Sequence, residues 1–276
     1  MDTENTVEML LGRHTPVVDR YTPGLLYPIP RAAGRSSIAC EAELPFSGVD
    51  LWHAYEISWL ESGGKPQVRV ARLTIPASSP NLVESKSLKL YLNSLNNTRF
   101  ADEQEVSSTI IKDVARTVGC DVQLELLAVD DHALSGVELA GQCVDFLETD
   151  APAGEPCASM LELRPGDPVQ EQLHSHLLRS LCPVTGQPDW ASVWIHYEGS
   201  ALDHRSLLRY IIAYRQHQEF HEQCVERMFC DIQQRIDPRF LHIQAFYTRR
   251  GGLDLSLIHI SEPTRRTIPS RMPSSA

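Results

Sequence analysis

Hydrophobic and polar residues alternate along two neighbouring stretches in the first half of the chain, residues 51–60 and 67–75. Turn-forming residues lie between them at Gly63-Gly64-Lys65-Pro66, so the pattern predicts a β-hairpin. Apolar residues then recur at helical spacing, and a last stretch alternates again. The first half therefore predicts two helices and a closing strand after the hairpin, over residues 86–97, 103–118 and 122–129.

The second half repeats this order. It predicts a hairpin, two helices and a closing strand, over residues 172–181, 190–197, 205–215, 219–236 and 241–247. A strand pair followed by a helix pair and a strand is typical of an antiparallel sheet with helices on one face, which is an α+β fold. The Pro- and Gly-containing segment 151–156 predicts a linker, giving domains of residues 1–150 and 151–254.

Residue identities support a duplication. Ser87, Leu88 and Tyr91 match Ser206, Leu207 and Tyr210 at an offset of 119 positions. Upstream, the turn at residues 64–67 matches residues 186–189 at an offset of 122. Matches in the same order indicate two diverged copies of one unit.

The sequence changes character from Leu255. Residues 255–265 read like translated sequencing-adapter DNA, and residues 266–276 are a Ser/Pro/Arg-rich stretch without periodicity. We therefore expect residues 255–276 to be a non-native tail that takes no part in the fold.

Composition narrows the function classes. The net charge of −11 argues against a nucleic-acid binder, because phosphate neutralisation needs a basic surface. Seven cysteines without a C-x-x-C pair fit neither a disulfide framework nor a zinc ribbon. The start has no basic and apolar segments of a signal peptide, and no apolar run reaches the ~20 residues of a membrane helix. We expect a cytoplasmic protein without membrane or nucleic-acid partners.

A thiol and a carboxylic acid flank the second hairpin turn. Cys182 and Asp189 occupy places where an alignment of the two turns puts Leu60 and Gln67 in the first copy. A turn can bring its flanking residues together, so the pair could serve as a nucleophile and a proton donor. The alternative is an inert buried cysteine beside a turn-stabilising aspartate.

Other candidate groups remain ambiguous from spacing alone. His221-Glu222 resembles the start of a zinc-protease motif, but the second ligand position is Val225. His174 and His176 share one face of a strand without an evident third ligand, so we expect no metal. The run Glu84-Ser85-Lys86 could simply begin a helix. No glycine-rich nucleotide motif is present.

Four motifs together resemble the 7-cyano-7-deazaguanine reductases of queuosine biosynthesis, in their long, two-module form. The resemblance covers nearly all of the chain up to Asp254. It rests on ESKSLKLY at residues 84–91, CPVTGQPD at 182–189, FHEQC at 220–224 and TRRGGLD at 248–254.

The resemblance implies two tandem tunnelling-fold modules, a homodimer, and NADPH-dependent reduction of a nitrile through a thioimidate. It implies an active site shared between the two halves. The implied roles are Cys182 as nucleophile, Asp189 as proton donor and His221 beside the reacting carbon; Val83, Glu84, Ser85, His221 and Glu222 in substrate binding; and Ser85, Lys86, Arg250 and Gly251 in NADPH binding.

Three other functions stay open at this point. A thioimide-forming amidinotransferase would use ammonia instead of a hydride donor. A hydrolase related to GTP cyclohydrolase would need zinc. A module without catalysis would serve only assembly or binding.

Overall fold

The computed structural model describes Val18 and residues 20–38, 44–134, 138–150 and 154–261. Short 3-10 turns link its main elements at Pro23–Leu25, Ser36–Ile38, His132–Leu134, Ala158–Met160 and Tyr214–Gln216. Within these ranges the strands and helices are β1 (Pro28–Pro30), α1 (Arg31–Arg35), β2 (Ser47–Leu60), β3 (Pro66–Pro76), β4 (Asn81–Val83), α2 (Ser85–Asn93), α3 (Glu103–Val118), β5 (Gln123–Leu127), β6 (Gln142–Cys143), β7 (Val169–Leu181), β8 (Pro188–Gly199), α4 (His204–Ala213), α5 (His221–Ile236), β9 (Phe240–Arg250) and β10 (Leu253–Ile260).

One eight-stranded sheet runs through both halves, in the order β5-β3-β2-β10-β9-β8-β7-β6. Its neighbours are antiparallel except β6 and β7, which are parallel. Alternate strand residues are buried and pack with the apolar faces of the helices into one core. The predicted α+β class is confirmed, and the halves share a continuous sheet instead of forming separate ones.

The strand β10 lies at the centre of this sheet, between β2 and β9. The expectation that residues from Leu255 onward take no part in the fold is therefore wrong. Leu253, Leu255 and Leu257 point into the core, while the residues between them are half-buried. This period-2 pattern is that of a strand, and it outweighs the unusual composition of the segment. Residues 262–276 lie outside the described ranges.

The duplication predicted from sequence extends to irregular features. The β2–β3 pairing shifts register between Ala54 and Ile57, and the β7–β8 pairing shifts between Ser175 and Leu178. Each half also has a buried tyrosine that donates to an aspartate on the following long helix. These hydrogen bonds join Tyr91 to Asp113 at 2.9 Å and Tyr210 to Asp231 at 2.7 Å.

The two hairpin turns differ in length by one residue. In the first, the Glu61 N–H donates to the Lys65 carbonyl at 2.9 Å; in the second, the Cys182 N–H donates to the Gln187 carbonyl at the same distance. The counterpart of Cys182 is therefore Glu61 and not Leu60, because the inserted residue lies within the turn and only the later positions keep the offset used in the alignment.

Local sequence explains where the helices begin and end. The Asp102 carboxylate caps α3 by accepting from the Glu105 N–H at 2.8 Å, and Gly119 ends it with φ of 79°. Asp237 ends α5 in the left-handed region with φ of 43°, immediately before Pro238. Among the helices of the described ranges, none combines the length and apolar character needed to cross a bilayer.

Candidate active site

A cavity of about 240 Å³ lies where the two halves meet. It is bounded by the start of α2, the β7–β8 turn, the start of α5 and the β9–β10 connection. The predicted site residues that line it are Val83, Glu84, Ser85, Lys86, Cys182, Asp189, His221, Glu222 and Gly251.

The β7–β8 turn carries Cys182 and Asp189 into this cavity. Cys182 closes the turn through its own backbone, because its carbonyl accepts from the Gly186 N–H at 2.9 Å. Gly186 has φ of 65°, a conformation that favours glycine. The Cys182 thiol is half-buried and forms no disulfide. Asp189 pairs across the strands with Ser180 and is buried.

His221 begins α5 and faces Asp189. Its Nε2 atom lies 3.1 Å from Asp189 Oδ2, as a close approach without the alignment of a full hydrogen bond. The imidazole also stacks on Tyr247, with ring centroids 4.1 Å apart. Tyr247 comes from β9 and was not predicted from the sequence, where it is one apolar position among several in a strand.

Glu222 is buried beside His221 at the N-terminus of α5. Burial raises its pKa to about 7, and the nearby Asp50 carboxylate adds to the rise, while His221 and Arg31 oppose it. Arg31 is itself buried, and it ion-pairs with Asp50 and with Glu226, the latter at 3.3 Å. The charged network thus joins α1 and β2 of the first half to α5 of the second.

Glu84 caps α2 from inside the cavity. Its carboxylate accepts from the Lys86 and Ser87 N–H groups at 2.8 and 2.7 Å, and its residue exposure is 2%. A carboxylate offers about four lone-pair sites, so two acceptor positions remain for a ligand. The counterpart Asp203 caps α4 through the Ser206 N–H at 2.8 Å, but it does not line the cavity.

Lysine side chains and a glycine line the mouth of the cavity beside α2. Lys86 and Lys89 both border the cavity, and Ser85 is exposed at the first position of α2. Gly251 has φ of 60°, and a Cβ atom there would come within 3.2 Å of the Lys89 side chain. This donor set fits a ligand with phosphate groups. The side chain of Arg250 lies outside the described part of the structure.

The central strand β10 contributes a wall of the cavity, and its residue Leu255 falls in the segment that was expected to lie outside the fold. Leu253, Asp254 and Leu255 line the cavity. The Asp254 carboxylate is fixed by His53 Nδ1 at 2.9 Å and by the Tyr55 hydroxyl at 2.6 Å. The alternation of leucines after Gly252 was the signal that could have identified this wall.

A family model described as "Nitrile reductase, 7-cyano-7-deazaguanine-reductase N-term" matches residues 17–126. The proteins named NADPH-dependent 7-cyano-7-deazaguanine reductase from Bordetella pertussis and Chromohalobacter salexigens are each 49% identical to the chain. The first alignment covers 89% of this chain and 90% of the relative, and the second covers 96% and 93%.

The chain belongs to the 7-cyano-7-deazaguanine reductase family. A further relative of that name, from Acinetobacter baumannii, is 48% identical over 96% of this chain and 97% of its own length.

A second family model, described as "QueF-like protein", matches residues 188–265. The match therefore includes β10 and residues that the sequence analysis assigned to a non-native tail. An archaeosine synthase QueF-Like structure in the apo form covers 36% of this chain and 96% of its own, at 17% identity and a TM-score of 0.30. That likeness is too low to support an argument about this chain.

Proposed function

We propose that the protein reduces the nitrile of 7-cyano-7-deazaguanine to the aminomethyl group of 7-aminomethyl-7-deazaguanine, with two molecules of NADPH, in queuosine biosynthesis. The observation that carries the proposal is the single cavity that brings together Cys182, Asp189 and Glu222 from the second half with Glu84 from the first. The names of relatives 48–49% identical supply the substrate and the reductant.

The first chemical step belongs to Cys182 and Asp189. The Cys182 thiolate attacks the electrophilic nitrile carbon, and a new carbon–sulfur bond replaces one of the carbon–nitrogen π bonds. Asp189 delivers a proton to the nitrogen, which would otherwise carry negative charge. The addition as a whole moves the elements of the thiol across the nitrile and leaves a thioimidate. His221 Nε2 lies 3.1 Å from Asp189 Oδ2, so His221 can orient this acid beside the reacting carbon.

Recognition of the purine-like ring falls to the two buried glutamates. Glu84 and Glu222 approach the cavity from opposite halves, and carboxylates accept hydrogen bonds from ring N–H groups. Val83 is buried and supplies an apolar wall, and Ser85 lies beside it at the start of α2. Hydrogen bonding inside a buried site discriminates strongly between ligands, because each polar group left without a partner there costs about 1–3 kcal/mol.

NADPH, when bound, supplies a hydride to the carbon in each of two reductions. The residues that would hold it are Ser85, Lys86 and Gly251, with Arg250 at the adjacent chain position. Lys86 and the neighbouring Lys89 place positive charge where phosphates would lie. Departure of the Cys182 thiolate after the first reduction frees the thiol for the next turnover.

We further propose that each half is one tunnelling-fold module and that the protein forms a homodimer. The repeated bulges and caps of the two halves support the modular reading. Light scattering of the purified protein measures the dimer directly, and a monomer at assay concentration would contradict it. The cytoplasmic location remains a prediction from the sequence.

The test of the activity is NADPH absorbance with and without 7-cyano-7-deazaguanine. We expect oxidation that depends on the nitrile, is lost in Cys182→Ala and is retained in Cys157→Ala, a control at an exposed cysteine outside the cavity. Ammonia-dependent conversion without NADPH would favour an amidinotransferase. Hydrolysis without NADPH would favour a hydrolase, and adduct-free binding would favour a module without catalysis.

A further inference from the structure

Three potential metal ligands meet on the sheet face opposite the helices. One ligand atom from each of Cys143, His174 and His176 lies within 4.8 Å of the other two. His174 and His176 are alternate residues of β7, and Cys143 is the register partner of His174 on β6. Nothing in the sequence indicated a third ligand for the two histidines, because Cys143 is 31 positions before His174 and belongs to another strand.

The hydrogen bonds around the histidines leave suitable nitrogens for a metal. His174 Nδ1 lies 3.2 Å from the Ala140 carbonyl oxygen, which can only accept, so Nδ1 carries the proton and Nε2 carries the lone pair. His176 Nδ1 lies 2.8 Å from Ser192 Oγ, and when Nδ1 donates to this hydroxyl, Nε2 carries the lone pair for a ligand. Histidines bound to metals usually have such an outer partner on the second nitrogen.

The backbone holds the cluster in place. The Val144 N–H donates to the His174 carbonyl at 3.0 Å. Gly141 brings the chain against β7 so closely that a Cβ atom there would lie 2.1 Å from the Gln172 carbonyl oxygen. Asp145 secures the bulge that contains His176, by accepting from the Ser175 hydroxyl at 2.5 Å and from the His176 N–H at 2.9 Å.

We propose that Cys143, His174 and His176 bind one zinc ion, with a fourth position open to water. Imidazole and thiolate are ligands that zinc prefers, and tetrahedral zinc sets its ligand atoms roughly 3–4 Å apart. The three ligand atoms lie within 4.8 Å of one another, so side-chain rotation on binding would bring them into that range.

The zinc ion stabilises the pairing of β6, the edge strand of the sheet, with β7. Strand β6 has only two residues, so its backbone pairing alone holds it weakly. None of the three ligands lines the active-site cavity, so the ion takes no part in chemistry at Cys182. The site is therefore independent of the proposed function, and either proposal can fail without the other.

The test is cobalt titration of the metal-free, full-length protein, because Co²⁺ replaces Zn²⁺ and reports a thiolate ligand by a charge-transfer absorption band. We expect one Co²⁺ per chain, with that band, displaced by Zn²⁺. Cys143→Ser removes the band, and His174→Gln weakens binding at least tenfold. Cys157→Ser, at an exposed cysteine outside the cluster, leaves both unchanged. Circular dichroism verifies the fold of each variant.

Thermal unfolding supplies a second readout, since a ligand that binds only the folded state raises Tm. Zinc should raise Tm of the wild type and of Cys157→Ser, but not of Cys143→Ser. A wild type that binds no cobalt overturns the proposal. So does a charge-transfer band or a zinc-induced rise in Tm that survives in folded Cys143→Ser.

Discussion

Replacing Glu222 by glutamine should change how stability depends on pH. The pKa of Glu222 is about 7 in the folded protein against an ordinary value of 4.5. Between these values the folded state binds a proton that the unfolded state does not, so stability falls as pH rises. A pKa shift of one unit corresponds to about 1.36 kcal/mol, so the raised pKa of Glu222 means that ionising it in the folded state costs about 3 kcal/mol. Glutamine has no proton to lose and avoids this cost.

Urea unfolding at pH 5, 6, 7 and 8 measures the effect. We expect the free energy of unfolding of the wild type to fall by about 2–3 kcal/mol more between pH 5 and pH 8 than that of Glu222→Gln. Glu148→Gln is the matched control, because Glu148 is exposed. It should keep the wild-type profile. Parallel profiles for wild type and Glu222→Gln would refute the reasoning that burial and Asp50 hold Glu222 protonated.

The other variants test separate parts of the site and fold. Asp189→Asn should keep nitrile binding while turnover falls about 100- to 10,000-fold, and wild-type turnover would make Asp189 a turn-stabilising residue only. Glu84→Ala and Asp203→Ala should each lose a helix cap, about 1 kcal/mol in urea unfolding. Only Glu84→Ala should also weaken calorimetric nitrile binding, by about 1–3 kcal/mol. Leu257→Ala should lower the free energy of unfolding by about 2–5 kcal/mol, because Leu257 is buried in β10, and half-buried Ile258→Ala by less. Equal losses would contradict the central position of β10.

Periodicity predicted the main strands and helices because each has one buried and one exposed face. It failed at β10, where adapter-like composition was given more weight than the alternation of Leu253, Leu255 and Leu257. The alignment of the turns misplaced Cys182 by one residue, since an insertion inside a turn leaves no hydrophobic pattern to reveal it.

The candidate site could be predicted only in part, because the sequence pattern reveals contacts between neighbouring residues and not between distant ones. Cys182 and Asp189 flank one turn, so local sequence brings them together. Glu84 and Glu222 line the same cavity only because one sheet joins the two halves, and their spacing in the sequence does not indicate this. Arg31 and Tyr247 were missed because their importance comes from neighbours distant in sequence, Asp50 for the first and His221 for the second.

The most direct test of the central claim is the intact mass of the protein mixed with 7-cyano-7-deazaguanine in the absence of NADPH. Wild type and Cys157→Ala should each gain the mass of one substrate per chain, and addition of NADPH should remove it. Cys182→Ala should gain nothing, although circular dichroism shows it folded. A stable adduct on Cys182→Ala, or none on the wild type, would contradict covalent catalysis by Cys182.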